Sequence, residues 1–528
     1  MAALAVLALV IPRASADAAS GYVAISGSGS TWSSVALDQW AEDVRTNGLV
    51  VNYNPDGSAA GRQDYTPNDQ TDFAGSDPPF RNGTDKLGGT STELPTQLGY
   101  SYVPDTAGGT AFMYHLTVGG QLVRNLRLSP STIMKIFTGQ ITNWADPQIT
   151  TDYGAQLPSE PITPVIRSDG SGATYFLTRW ISRLFPSQWN AFCKRVQSGI
   201  SLPCGQTEFY PQFGNAKAQN GSNNVATYIT ASYGEGSIGY DEYAYALNAH
   251  YPVVKLRNPG GYYVLPTAQN DAVALTQAII NTNARSADYL QQNLDNVYTY
   301  NDPRSYPLSS YSYLIVPRTG TKLPSIFSSE SGRSLSTYIN YLLCAGQKEM
   351  PDLGYSPLPI NLVKGGLDQV DKIPGHVATP NRATLGGCEN PTFINGQNIL
   401  LSTAPQPSPC DKVGQPLNCT VVNGRPATTS GSGPGGGTSP GATAGPGANP
   451  TPSAGNRAGT INPVTGQVVP GSGNGPISAS NVAGQVVPIA GTGADGVLLA
   501  TLTALEVVGA VAAPPAIGFW LRRRRKAI

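Results

Sequence analysis

Charge is scarce in this sequence. Only 12% of the 528 residues are Asp, Glu, Lys or Arg, and 33 of each sign leave a formal net charge of +0. A neutral chain has no global field to attract nucleic acid, and no basic patch interleaved with aromatics makes up for it. Histidine is scarcer still: His115, His250 and His376 lie far apart, and no C-x-x-C pair occurs. A zinc site of ordinary spacing is thereby excluded. The G-x-x-x-x-G-K-[ST] loop is missing, which excludes P-loop nucleotide hydrolysis. G-x-S-x-G is missing around the Gly/Ser-rich stretches, which removes the nucleophile elbow of acyl-transfer enzymes.

The chain is not uniform. Ala2 to Pro12 is an apolar stretch of signal-peptide length, and Ala14-Ser15-Ala16 is an A-x-A cleavage site, so residues 1–16 are expected to direct export. Six cysteines in an exported chain suggest disulfides. Proximity favours Cys193–Cys204 and Cys410–Cys419, leaving Cys344–Cys388, although six cysteines permit other pairings. At the other end, Val497 to Leu521 reaches the roughly 20 apolar residues that a membrane-spanning helix needs. Trp520 stands at its interface end and Arg522 to Lys526 are consecutive cations, which places residues 522–528 in the cytoplasm and the body outside.

Between these ends, residues 20 to 378 read as α/β. "YVAISGSGST" is a strand entering a Gly/Ser turn. "STWSSVALDQWAEDV" is an amphipathic helix with Val35, Trp40 and Val44 on its apolar side. "LVVNYNPDGS" and "ITPVIRS" are further strands, "ATYFLTRWISRLF" a further helix, and "GSIGYDEYAYAL" a strand running into a helix. Alternation of this kind predicts strands backed by helices. Residues 379–425 form a Cys-containing extension rich in Pro and Asn. Residues 426–496, with "GSGPGGGTSPGATAGPGANP", cannot bury enough apolar surface to offset ordering and are expected to be a disordered linker. A flexible chain of that length spans roughly 45 Å. The body is thus expected to be tethered to the membrane through its C-terminus.

Four Gly/Ser/Thr-rich stretches stand out: "GSGSTW" (27–32), "DGSAAGR" (56–62), "DFAGSD" (72–77) and "RSDGSGAT" (167–174). A strand followed by such a turn and then a helix offers free N–H groups and hydroxyls at a helix N-terminus, where the dipole favours anions. Each alone is equally a structural cap. Together they suit a tetrahedral oxyanion, with Arg167 adding a bidentate charge and Asp169 orienting it. Asp77 is the discordant member. A carboxylate repels an anion unless the ligand brings a proton to donate. Hydrogen phosphate does, and sulfate at neutral pH does not, so Asp77 reads as a device against sulfate. Trp144 within "TNWADPQI" reads as core beside a helix cap, and "DEYAYAL" as a packed helix.

In this order the stretches "GSGSTW", "YNPDGSAAGRQ", "DFAGSD", "FTGQITNWADPQI", "RSDGSGAT", "GSIGYDEYAYA" and "LGYSPLPINLV" resemble the phosphate-binding proteins of bacterial phosphate ABC transporters, a PstS-like periplasmic substrate-binding family. The resemblance covers about residues 21 to 378. It implies a two-lobed type II periplasmic-binding-protein fold with two crossover strands. One lobe would comprise about 20–110 and 258–378, the other about 111–257. It implies that inorganic phosphate is held by Thr31, Trp32, Ser58 and Asp77 from the first lobe and by Arg167, Asp169, Ser171, Gly172 and Ala173 from the second. It also implies no cofactor, no metal and no catalytic residue, with permease subunits of an importer as partners. Two positions depart from the pattern. Trp32 stands where the family usually has Phe, and Ala173 where it usually has Thr, which removes one hydroxyl donor.

A surface scavenger, sensor or adhesin on the same fold, and a secreted phosphatase, are the alternative functions. Near the C-terminus, Ile489-Ala490-Gly491-Thr492-Gly493 is similar to the L-[PA]-x-T-G signals of Gram-positive surface proteins. Two fates therefore stand open for the anchor: retention as a single-pass helix, or cleavage after Thr492 by a sortase and attachment to the cell wall.

Overall fold

The structure, a computed structural model, describes residues 21–65, 71–83, 85–88, 92–93, 99–318, 327–390, 392–394 and 397–428, with two short strands at 460–461 and 468–469. The first half of its main sheet is built from three short strands. β1 (Ile25–Gly29) lies between β2 (Val51–Asn54) and β3 (Phe73–Gly75) and runs parallel to both. Parallel neighbours require a crossover, here supplied by helices. α1 (Ser34–Arg45) returns the chain from β1 to β2, and α2 (Ser58–Tyr65) follows β2. On α1 the buried apolar residues are Ala36, Leu37, Trp40, Ala41 and Val44, the 3–4 spacing of one helix face.

The two halves of the sheet meet on one long strand, β4 (Tyr100–Tyr114), buried along almost all of its 15 residues. Its Tyr100–Gly109 part pairs antiparallel with the strand Ser309–Pro317, which in turn pairs with β3. Its Thr110–Tyr114 part pairs with Ser237–Glu242. That strand runs parallel to Thr163–Arg167, and Lys217–Gln219 completes the far edge. Eight strands thus form one sheet whose halves belong to the two lobes of an α/β fold. The helix Gly172–Leu184 leaves the end of Thr163–Arg167 and buries Phe176, Leu177, Trp180 and Ile181. The "TNWADPQI" stretch is structural. Trp144 is buried, and Asp146 caps the helix Pro147–Tyr153 by accepting from Gln148 N–H at 2.8 Å.

The cysteines are joined as Cys193–Cys204, Cys344–Cys388 and Cys410–Cys419. The extension after residue 378 packs onto the body. Asn390 and Thr392 side chains donate to Leu358 O at 2.9 and 2.7 Å, and Lys255 Nζ lies 2.9 Å from Asp411 Oδ1. Across the expected boundary at residue 425, the strand Arg425–Thr428 pairs with Cys419–Val422. Thr460–Ile461 and Val468–Val469 pair antiparallel in a separate unit. The expected linker therefore contains two pieces of strand, at β-branched positions that suit a pleated ladder. Residues 1–16, the rest of 426–496, the segment 497–521, the Ile489–Gly493 motif and the tail 522–528 lie outside the described residues. Among the described residues no helix is long and apolar enough to cross a membrane.

Candidate oxyanion site

Arg167 ends a buried strand, and its guanidinium is fully buried with every edge engaged. Nε donates to Asp169 Oδ1 at 2.8 Å, and Nη2 pairs with Asp169 Oδ2. Nη1 donates to Ser222 Oγ at 3.1 Å, and Nη2 to Thr31 Oγ1 at 2.7 Å. The Ser222 hydroxyl lies 2.8 Å from Thr31 Oγ1 and 2.7 Å from Asp241 Oδ1. Burial works against the Arg167 charge, but Asp169 and Asp241 outweigh it and hold the guanidinium protonated. Burial pushes the Asp241 carboxyl up to about 6, against the pull of Arg167. The cation is therefore aimed and fixed by carboxylates on one side, and offers its remaining N–H groups to hydroxyls on the other.

Asp77 forms the opposing part. It follows β3 and is buried. Ser312 donates to its Oδ1 at 2.7 Å and Ser58 to its Oδ2 at 3.0 Å, while Ser30 Oγ lies 2.9 Å from both oxygens. Burial pushes this carboxyl up; the Ser312, Ser30 and Ser58 hydroxyls and the Arg167 charge pull the other way. Ser30 also accepts the Trp32 N–H at 3.1 Å. A carboxylate surrounded by hydroxyls in a dry site is a strong acceptor for a ligand O–H.

The two parts come from different lobes and touch. Ala59 N–H donates to Gly170 O at 3.1 Å. The helix Gly172–Leu184 begins against Asp77: a Cβ on Gly172 would lie 1.8 Å from Asp77 Oδ2. Only glycine permits that approach, and it sets the carboxylate at the positive end of the helix. Ser171 caps the helix by accepting Thr174 N–H at 3.4 Å. Outside the site a second seam joins the lobes. Arg62, on α2, donates through Nη2 to Glu208 at 2.6 and 2.8 Å and through Nε to Glu93 at 2.7 Å.

The residues expected from sequence fall into two classes. Thr31, Ser58, Asp77, Arg167, Asp169 and Gly172 converge through the contacts above, and Ser171 caps the helix that begins against Asp77. Trp32 contributes its N–H to Ser30, its ring being packed edge-on to Phe176 and Tyr355. Ala173 is fully buried in the first turn. Thr174 does not replace the hydroxyl missing from it, because Thr174 Oγ1 is bound to Tyr240 OH at 2.7 Å. Ser30, Ser222, Asp241, Tyr240 and Ser312 were not singled out from sequence. Ser30 sits inside "GSGSTW" and Asp241 inside "GSIGYDEYAYA", so both lay within reach of the motif reading. "DEYAYAL" proves more than packing: Tyr245 reaches Thr31 O and lies 2.7 Å from Ser34 Oγ. Ser312 has no local signal at all.

Comparison with known proteins gives a consistent neighbourhood. The PBP superfamily domain is matched over residues 14–345. Phosphate-binding protein PstS of Xylella fastidiosa is 28% identical over 344 residues, covering 65% of this chain and 83% of that protein. Phosphate-binding protein PstS 2 of Mycobacterium tuberculosis is 27% identical over 348 residues, covering 63% and 82%. The crystal structure of a phosphate-binding protein from Stenotrophomonas maltophilia aligns with a TM-score of 0.47 at 16% identity, over 71% of this chain and 99% of that one.

Proposed function

The chain belongs to the PBP superfamily, and on that premise we propose that it binds inorganic phosphate outside the cytoplasm by closing its two lobes, and delivers it to an ABC-type importer. The observation that carries this reading is the pairing of opposites in one buried site. Arg167 supplies the charge a tetrahedral oxyanion needs, while Asp77 demands that the oxyanion bring a proton. Hydrogen phosphate meets both conditions and sulfate meets only the first. In this reading Thr31, the Trp32 N–H, Ser58 and Asp77 hold the ligand from the lobe at about 20–110 and 258–378. Arg167, the first-turn groups of Ser171, Gly172 and Ala173, and Asp169 behind the arginine act from the lobe at about 111–257.

The relatives are named as binding proteins, which supports binding over hydrolysis. The anion would exchange its water for fixed donors, and contacts from both lobes would favour the closed state. Closure is then the signal that membrane permease subunits read. The tether belongs to the same reading: an exported body at the extracellular face, held by the segment 497–521 or attached to the wall after Thr492. The names of the PstS relatives agree with the ligand. Isothermal titration of the full chain should give tight binding of phosphate and none comparable of sulfate. Equal binding of both anions would sink the reading.

A further inference from the structure

The extension after residue 378 touches both lobes. On the first lobe, Asn390 and Thr392 bond to Leu358 O. Ile399 N–H donates to Thr392 O at 3.0 Å, and the helix Ile399–Thr403 packs on the helix Ala268–Leu275. On the second lobe, Asp411 lies between two cations. Lys255 Nζ donates to its Oδ1 and Oδ2 at 2.9 and 3.0 Å, and Arg127 Nη2 to its Oδ1 at 3.3 Å. Arg127 also donates to the carbonyls of Cys410 at 3.1 Å and Gln415 at 3.3 Å. The two cations are register partners on the parallel strands Arg127–Leu128 and Lys255–Arg257. Like charges at paired positions repel, and the carboxylate that joins them comes from the extension. The Cys410–Cys419 bridge closes the loop that carries it. Val413 N–H donates to Gly261 O at 2.9 Å, just past the crossover at 257–258.

A stiff spacer joins the two anchorages. Residues 404–408 read "APQPS", with Pro409 next. Proline fixes its own φ and biases the residue before it to extended backbone. Ala404 and Ser408, each followed by a proline, have ψ of 116° and 135° accordingly. At about 3.1 Å per residue, such a segment holds its ends roughly 15 Å apart. A Gly/Ser linker would let the anchorages drift, and this one fixes their separation.

We propose that residues 398–415 are a strap between the lobes, holding them in the arrangement that brings Arg167 and Asp77 together. The proposal rests on the lobe-closure reading of the site. Both anchorages are made while Ala59 N–H donates across the lobes to Gly170 O at 3.1 Å. Rotating the lobes apart strains the spacer or pulls Asp411 from between Arg127 and Lys255, which leaves the paired cations facing each other. The anchorages lie on Leu358, the helix Ala268–Leu275, Arg127 and Lys255, and not on Arg167 or Asp77. The strap therefore acts on the closing equilibrium, and apparent affinity follows the fraction of protein that is closed.

The test is phosphate titration of the full chain, with hydrogen exchange at the Ala59 amide measured without and with phosphate. The proteins are wild type, Asp411→Ala, the pair Pro405→Gly with Pro407→Gly, and Arg382→Ala. Asp411→Ala should weaken phosphate binding about tenfold, the scale of one hydrogen bond to a charged group, and speed Ala59 exchange in the anion-free protein. The proline pair keeps every anchorage and slackens only the spacer. It should weaken binding about threefold, so the test survives if Asp411→Ala disturbs folding. Arg382 pairs with Asp368 and Asp371 on the first lobe, and Arg382→Ala should bind as wild type. Wild-type affinity and Ala59 exchange in a folded Asp411→Ala or in the proline pair overturn the proposal. Tighter binding in either also overturns it, because the strap would then hold the lobes apart. Equal weakening in Arg382→Ala overturns it too, because the effect would then be a general loosening of the extension. A wild type that binds no phosphate, or whose Ala59 exchange phosphate does not slow, overturns the closure reading and this proposal together. A wild type slowed by phosphate, beside variants that behave like it, overturns this proposal alone.

Discussion

At the scale of single residues, Ala173 and Asp77 mark opposite departures from what an anion site wants. Ala173 leaves out a donor that the family resemblance calls for. Thr174 is adjacent but its hydroxyl is spent on Tyr240, so nothing on the helix replaces the missing group. Restoring it by Ala173→Thr should tighten phosphate binding about fivefold, the value of one neutral hydrogen bond of about 1 kcal/mol. Titration of a variant with unchanged melting temperature reads this directly, and an unchanged affinity would show that the position faces away from the ligand. Asp77 instead adds an acceptor where donors are expected. Asp77→Asn replaces a pure acceptor by a group that can donate. The phosphate-to-sulfate ratio should drop by roughly tenfold or more, since hydrogen bonds to charged groups are worth about 1.5–3 kcal/mol. A ratio that stays fixed would remove Asp77 from selection.

At the scale of elements, the decisive contact is the start of the helix Gly172–Leu184 against the turn after β3. A methyl at Gly172 would overlap Asp77 Oδ2, and the overlap exists only when the lobes are together. Gly172→Ala should therefore cost phosphate affinity about a hundredfold, from roughly 3 kcal/mol of overpacking, while each lobe still folds. Preserved circular dichroism with weakened titration is the expected pair of readings; wild-type affinity would mean the helix start does not abut Asp77. The Cys344–Cys388 bridge, closing a separation of 44 residues, is by contrast a matter of stability. Its removal by Cys344→Ser with Cys388→Ser should lower the unfolding free energy by about 4 kcal/mol on the loop-entropy account, measured by denaturant titration under oxidising conditions. The site residues should keep their ligand preference. The same contrast explains what could be read from the chain. "GSGSTW" and "RSDGSGAT" are legible because strand, turn and cap are local in sequence, and the nearest-neighbour cysteines pair for the same reason. Ser312 is not legible. It reaches Asp77 only because Ser309–Pro317 pairs with β3, and the Ser312–Asp77 bond spans 235 positions. Glu208 was equally silent, being an ordinary acid in a loop until Arg62 faces it.

At the scale of the whole molecule, Arg62 and Glu208 join the two halves through a buried ion pair, and on the proposed reading that pair sets how firmly the lobes close. Arg62 belongs to α2 in the first half, and Glu208 to the loop before Lys217–Gln219 in the second. Their side chains are 0% and 2% exposed, with Arg62 Nη2 2.6 Å from Glu208 Oε1. Arg81 lies 3.4 Å from the same oxygen, and Asp85 Oδ2 accepts Thr207 Oγ1–H at 2.9 Å, so the seam is a small network and not a lone pair. Open lobes would let water solvate both charges. Closed lobes bury them together, and a buried pair is costly to break from one side, by up to about 3–5 kcal/mol, although Glu93 keeps hold of Arg62 Nε at 2.7 Å. Glu208→Ala should thus penalise the closed state alone. Apparent affinity scales with the fraction of protein able to close, so phosphate binding should weaken by about a hundredfold or more. The penalty does not depend on which anion is bound, so sulfate should weaken in the same proportion and the ratio between them should hold. Titration with both anions and a small-angle scattering radius at saturating phosphate check this together. A constant ratio with weakened binding, and a scattering radius that needs more phosphate to contract, is the expected result. A changed ratio would place Glu208 in selection with Asp77, and an unchanged phosphate affinity would mean that the Arg62–Glu208 pair contributes nothing to closure.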